Sequence, residues 1–370
     1  MHHLDALLRP YRLNALDLPN RLVMAPMTRS FSPGGVPGAD VAAYYRRRAE
    51  GGVGLIITEA TGIDRPSAVN EPDVPHFHGA AALAGWKTVV DEVHAGGGRI
   101  MPQLWHAGQK RSNLGRQWTP PVPYESPSGL SLTGELVGRP MSEADVADTI
   151  DAFARAAADA ERLGFDGVEV HGGHGYLVNQ FFFDDLNRRG DRYGGATLVE
   201  RARFAVEILS AIRRVVSPGF PVVFRLSQWK PQDFNVRLAD SPDALERLLQ
   251  VLVAAGADAF HLSQRRFWEP AFPEWDPQRN FAGWAKKLTG VTAITVGSVG
   301  LSGDVYETFA GQSFHAVSIE PMLERLERGE FDLVAVGRPL LQDARWLEKV
   351  RQGRGAELAD FTPQALSWLS

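Results

Sequence analysis

Eight short apolar runs alternating with helical patterns predict a single (β/α)8 TIM barrel over residues 1–370, its C-terminal face capped by long loops after the strands. The runs are rich in Val and Ile and mostly lack polar alternation, as strands buried on both faces of a parallel sheet do. The join of helix, glycine and strand occurs twice in similar form, as "LGFDGVEVHG" and "AGADAFHLS". A doubly wound sheet is the rival architecture, but no Gly-x-Gly-x-x-Gly turn follows the first run.

In chain order the expected strands are "LVMAPM" (22–27), "GLIITEAT" (54–61), "RIMPQLW" (99–105), "GVEVHG" (167–172), "PVVFRLS" (221–227), "AFHLS" (259–263), "AITVG" (293–297) and "LVAVG" (333–337). Between the third and fourth, "SEADVADTIDAFARAAADAERLG" reads as a helix capped by Ser142, with Asp145 three residues on. Val146, Ile150, Phe153 and Ala157 share one face of it, and Gly164 ends it. "SPDALERLLQVLVAAG" has Ser241 as cap, Pro242 at the first helical position and Gly256 just past the end. The loop after the third strand, roughly His106–Met141, is rich in Pro and Gly and long enough to suggest a lid or binding loop. The loop after the sixth, "QRRFWEPAFPEWDPQRN", gathers Phe267, Trp268, Phe272 and Trp275, which either pack on one another or cover a ligand.

Composition removes several function classes. A formal charge of −5 argues against a nucleic-acid partner, whose phosphates need a basic surface to neutralise them. The absence of cysteine excludes disulfides, thiolate zinc sites and Cys-ligated iron–sulfur clusters. The stretch "MHHLDALLRPYRLN" lacks the apolar core of a signal peptide, and no run is long enough to span a bilayer. A cytoplasmic protein without membrane partners is expected.

In a barrel, side chains at the C-terminal ends of the strands converge on one site. Here they are Pro26, Met27, Thr28, Ala60, Gln103 and Trp105, then His171, His174, Tyr176 and Arg225, then Gly297, Ser298, Gly337 and Arg338. No lysine ends a strand to form a Schiff base, and no carboxylate cluster is present to hold a divalent metal. The turns "TVGSVG" and "AVGRPL" offer free N–H groups and an arginine after strands seven and eight, where barrels commonly bind phosphate. "HGGHGY" sets two imidazoles and a phenol on a glycine-softened turn. His-x-x-His could ligate zinc, with Asp184 or Asp185 as a third ligand, or both histidines could be structural. Tyr176 could merely start a helix, and Arg225 could pair with Glu59 in the core.

The segments "NRLVMAPMTRS", "QLWHAG", "VEVHGGHGYLVNQFF", "NRRGDRYGG", "VGSVG" and "DLVAVGRPL" follow one another along nearly the whole chain. Together they resemble the motifs of the old yellow enzyme family. The resemblance implies an ene-reductase that binds FMN, is reduced by NADPH or NADH, and acts on a small enone or nitroalkene, as a monomer or homodimer. It implies Thr28, Ala60, Gln103 and Arg225 at the flavin ring, with Pro26 and Met27 beside them, and Gly297, Ser298, Gly337 and Arg338 near the phosphate. It further implies His171 and His174 at the substrate oxygen and Tyr176 as the proton donor, with no metal. Trp105, Phe267 and Trp268 are expected to line the substrate pocket.

These roles are chemically coherent. A reduced flavin is anionic around N1 and the C2 carbonyl, where a fixed cation such as Arg225 is favourable. Gln103 offers both a donor and an acceptor to a pyrimidine edge. Two imidazole N–H groups would stabilise an enolate oxygen, and a phenol of pKa about 10 remains protonated at pH 7 to serve the α-carbon. The sequence departs from the family pattern at Gln109, where many relatives have Arg, and at Thr28, where one branch has Cys. Residues 306–330 match less well and are expected to form a lengthened helical connection of unassigned role. The rivals are a sugar-phosphate aldolase or isomerase using Glu59 or Glu169 as base, and a flavin-storing protein without turnover.

Overall fold

The computed structural model describes residues 3–111 and 122–370. An antiparallel hairpin, β1 (Tyr11–Leu13) and β2 (Leu16–Leu18), precedes eight further strands. These are β3 (Leu22–Met24), β4 (Leu55–Gly62), β5 (Ile100–Trp105), β6 (Val168–His171), β7 (Val222–Ser227), β8 (Ala259–Ser263), β9 (Thr292–Val296) and β10 (Leu333–Val336). The eight pair in parallel and close into a barrel in the order β10–β3–β4–β5–β6–β7–β8–β9. Each of the eight expected runs therefore forms a barrel strand.

The strands read as continuous apolar runs because their outer faces lie under helices and their inner faces meet one another. Successive side chains alternate between those faces. Val23, Leu55, Ile57, Met101, Val223, Ala259, Ile294, Leu333 and Ala335 fill the lower barrel with Leu13 and Leu18 of the hairpin. The hairpin thus plugs the N-terminal end. It was not foreseen, because its three-residue strands carry too short a pattern to read. Two residues further along the inner face stand Gln103, Arg225 and His261, with Glu169 opposite Gln103 in register. A register irregularity in β4 between Ile57 and Ala60 brings Ala60 level with Gln103. Glu59 then falls on the other side, its N–H donating to the Tyr45 hydroxyl at 2.9 Å.

The expected helices form at Glu143–Leu163 and Pro242–Ala254. Ser142 and Asp145 make the reciprocal capping box, and Gly164 closes the helix at φ 90°, a conformation costly for any residue with a Cβ. The connection between β9 and β10 is helical in two pieces. It is two short helices, Val305–Phe309 and Glu320–Glu327, with irregular chain between them. Among the described residues no helix is long and apolar enough to cross a membrane. Part of the long loop after β5, residues 112–121, lies outside the described residues.

Candidate active site

The cavity opens at the C-terminal ends of the strands. The expected strand-end residues line it: Pro26, Met27, Thr28, Ala60, Gln103 and Trp105, together with His171, His174, Tyr176 and Arg225. Gly297, Ser298, Gly337 and Arg338 line its other end.

The histidine–tyrosine turn is held by its own helix. The Asn179 side chain accepts from the Gly175 N–H at 2.9 Å and donates to the Gly172 carbonyl at 3.1 Å. Gln180 donates to the Gly175 carbonyl at 2.8 Å. "LVNQFF" therefore does more than resume an apolar run: its two amides staple the turn. His174 sits at φ 59°, its N–H donating to Ser227 Oγ at 2.9 Å. The His171 ring lies 5.0 Å from the His174 ring and 4.8 Å from the Tyr176 ring, centroid to centroid. Trp105 meets Tyr176 edge-on at 5.1 Å, and Trp229 stacks on His174 at 5.1 Å.

Electrostatics fix the protonation states. Burial, reinforced by the nearby Arg225 charge, holds both imidazoles well below the usual histidine range, so they are neutral at pH 7. His171 Nδ1 accepts from the Gly173 N–H at 3.2 Å, which leaves the ring proton on Nε2. His174 Nε2 lies 2.7 Å from Ser263 Oγ. Burial, with the Glu71 charge adding to it, pushes the Tyr176 phenol above its ordinary range, so it is a protonated donor.

One polar layer lies beneath the cavity. Gln103 Nε2 donates to Glu169 Oε1 at 2.7 Å, and Glu169 Oε2 lies 2.6 Å from His261 Nδ1. The Glu169 carboxylate is held below its ordinary range although burial opposes this, because His261 and Arg225 face it. Arg225 thus has Glu169, not Glu59, as its counter-charge. Glu59 accepts instead from the Arg29 and Ser30 N–H groups, and burial pushes it up to about 7. Neither Glu59 nor Glu169 lines the cavity, so neither stands where the base of a sugar aldolase or isomerase would act.

The donor set fits a planar, polar ligand. Arg225 Nε, Trp105 Nε1 and Trp229 Nε1, all in the cavity wall, are buried without a hydrogen-bond partner among the described residues. At the other end, Arg338 donates to the carbonyls of Gly303 and Asp304 and to Thr308 Oγ1, tying the Val305–Phe309 helix to the strand-eight turn. Ser298 adopts φ 51° and its hydroxyl donates to the Arg265 and Gly303 carbonyls at 2.9 Å.

Phe267 and Trp268 depart from expectation. They are absent from the cavity wall: Phe267 is buried behind it, its N–H donating to the Gly297 carbonyl at 3.0 Å. Trp268 is largely exposed. The aromatic cluster after β8 packs locally, as the edge-on pairs Phe267–Trp268 and Phe272–Trp275 show. Conversely, the wall contains Asn70, Glu71, Lys110, Trp229, Ser263 and Tyr306, none of them singled out from sequence. Ser263 could have been found as the last residue of a strand; Tyr306 lies in the short helix Val305–Phe309, and the others sit in loops without a motif. Among the described residues no cluster of three metal-ligating side chains occurs. Asp185, one of the two carboxylates considered as a third ligand beside Asp184, pairs with Lys230.

Comparison with known proteins agrees with this geometry. Residues 6–357 match the model of the NADH:flavin oxidoreductase / NADH oxidase family. An NADH oxidase of Thermoanaerobacter brockii is 31% identical over 97% of this chain and 52% of its own length. The 12-oxophytodienoate reductase 7 of Oryza sativa subsp. japonica is 30% identical over 94% of this chain and 88% of its own. The structure of morphinone reductase in complex with tetrahydroNAD superposes with a TM-score of 0.78 at 31% identity, covering 97% of this chain and 93% of that one. The chain spans about half the length of the first curated relatives it matches. It belongs to the old yellow enzyme family of flavin oxidoreductases.

Proposed function

We propose that this protein is an FMN-dependent ene-reductase that takes reducing equivalents from NADPH or NADH and saturates the C=C bond of an enone or nitroalkene. The observation that carries this reading is the neutral His171–His174 pair beside a protonated Tyr176, in a cavity whose buried Arg225 Nε lacks a partner among the described residues. The nicotinamide analogue bound by morphinone reductase supports the choice of reductant. FMN, when bound, would accept hydride from the nicotinamide and return it to the β-carbon of the substrate.

Thr28, Ala60, Gln103 and Arg225, with Pro26 and Met27, would hold its ring, and the turns at Gly297–Ser298 and Gly337–Arg338 its phosphate. Arg225, with Glu169 as fixed counter-charge, would favour negative charge on the ring it faces. Gln103 is kept in place by Glu169. The His171 Nε2–H would donate a hydrogen bond to the substrate carbonyl oxygen, withdrawing charge from the double bond, and His174 would add a second donor there. Tyr176 would pass its proton to the α-carbon. Trp105, edge-on to Tyr176, holds the phenol in place and helps exclude water.

Purified protein should be yellow and release FMN on acid treatment. A para-substituted phenol, mimicking the developing enolate, should add a long-wavelength absorption band. That band should need about 10²-fold more phenol in the His171→Ala/His174→Ala variant. Colourless protein that cannot be reconstituted with FMN would refute the proposal.

A further inference from the structure

Lys110 lies in the loop after β5, and its side chain is part of the cavity wall although it is only 4% exposed. Its Nζ stands 4.3 Å from the centre of the Tyr176 ring, which places it at the substrate end, away from the turns at Gly297 and Gly337. Its backbone is fixed: the carbonyl accepts from Asn70 Nδ2 at 2.8 Å. Four of the six lysines have a carboxylate partner, including Lys230, also buried, with Asp185. Lys287 has none but is exposed. Lys110 alone is buried without a carboxylate at ion-pair distance among the described residues.

The neighbouring chain does not supply one. Residues 112–121, "SNLGRQWTPP", contain neither Asp nor Glu. Of the charged groups in the wall, Arg225, Arg265 and Arg338 are cations and Glu71 is the single carboxylate among the described residues. Glu71 accepts from Ser30 Oγ at 3.2 Å and is not within ion-pair distance of Lys110. His171, His174, Tyr176 and Tyr306 add no negative charge, being neutral at pH 7. A buried ammonium without a counter-ion is expensive, and a chain under no other constraint replaces it with an apolar side chain. Burial lowers the Lys110 amine to about 7, and an adjacent anion would restore its charge.

We propose that Lys110 is the counter-charge for a carboxylate on the substrate, so that the favoured substrates are unsaturated carbonyl compounds bearing an acid group. The inference deepens the ene-reductase reading and rests on it for the identity of the reaction, not for the binding of the anion.

The test compares charged and neutral partners of the same shape in the purified flavoprotein. NADPH or NADH oxidation is followed with (E)-4-oxopent-2-enoate and its primary amide, and the ratio of kcat/KM for acid over amide is taken. Lys110→Met should lower that ratio by about 30-fold or more, mostly through KM, whereas Lys110→Arg should retain most of it. Taking the ratio cancels the intrinsic reactivity of the two compounds and any general loss in a variant. Calorimetric titration with 3- and 4-hydroxybenzoate against the matching benzamides reads the same charge without turnover. The parent should prefer the benzoates and Lys110→Met should not. Turnover of the amide with an acid-to-amide ratio unchanged by Lys110→Met overturns the proposal, as does equal binding of benzoates and benzamides by the parent. No turnover of either compound, together with a Lys110-dependent preference for benzoates, would instead refute the ene-reductase reading and leave the anion site standing.

Discussion

At the N-terminal end of the barrel, Val23, Leu55, Met101 and Val223 meet Leu13 and Leu18 of the hairpin in a dry apolar layer. Two residues further along β5 and β7 stand Gln103 and Arg225, joined by Glu169 and His261 from the strands beside them. The same strands thus carry opposite chemistry at their two ends. The lower layer gains from burial, about 25 cal/mol for each Å² of apolar surface removed from water. The upper layer contains two charged groups, Arg225 and Glu169, and an Arg225 Nε donor without a partner among the described residues, an arrangement that costs stability unless a ligand completes it. Stability and chemistry are therefore separable along the barrel axis, and substitutions at the two ends should be distinguishable by what they change.

The largest effect is expected at the upper end. Tyr176→Phe removes a proton donor but leaves the hydride path from the nicotinamide untouched. Flavin reduction by NAD(P)H should stay close to the parent rate, while reoxidation by 2-cyclohexenone slows roughly 10²–10⁴-fold. Stopped-flow absorbance separates the two half-reactions. The unfolding midpoint should barely move, because the ring keeps its edge contacts with Trp105 and His171. Equal slowing of both half-reactions would make Tyr176 structural and erase the contrast between the two ends.

The sequence made the upper end more legible than the lower one. His171, His174, Tyr176, Gln103, Arg225 and the two glycine turns were all readable, because each ends an apolar run and every such end faces one cavity. The barrel itself followed from the same runs. The hairpin escaped because a two-sided test of periodicity needs more than three residues per strand. Lys110, Asn70 and Tyr306 escaped for a different reason: residues of loops and of a short connecting helix reach the cavity through tertiary folding, and local sequence carries no trace of that. Phe267 and Trp268 show the opposite error. Aromatic clustering in a loop signalled burial, but the side it buries was undetermined, and here it packs behind the wall.

At the lower end, Leu18→Ala should show the reverse pattern. Leu18 is 1% exposed within the plug, so its truncation opens a cavity in the apolar layer. A loss of about 2–4 kcal/mol is expected in urea unfolding. FMN affinity and both half-reactions should be unchanged under conditions where the protein stays folded. A loss of flavin without a loss of stability would show that the plug reaches the site after all.

The smallest effect sharpens the comparison through pH. Glu125 ties the loops over the upper end together: it pairs with Arg65, lies 2.7 Å from His106 Nε2 and accepts from Ser67 Oγ at 3.2 Å. Its partial burial would raise its pKa, but the His106 and Arg65 contacts outweigh that and hold it down at about 2. A carboxyl depressed in the folded state binds its proton more weakly there than in the unfolded chain, where its pKa is about 4.3. Its contribution is therefore complete above about pH 5 and is lost as pH falls toward 2. Two pK units at 1.36 kcal/mol each bound that contribution, and solvent contact brings the expected loss to about 2 kcal/mol. Hydrogen exchange between pH 5 and 3 should show the loops around Arg65 and His106 losing protection while the hairpin and β3 keep theirs. Glu125→Gln should remove this pH dependence and leave the loops loosened at every pH. If the two ends instead lose protection together, the barrel unfolds as one unit in acid, and the division between a stable floor and a functional rim would hold for chemistry but not for stability.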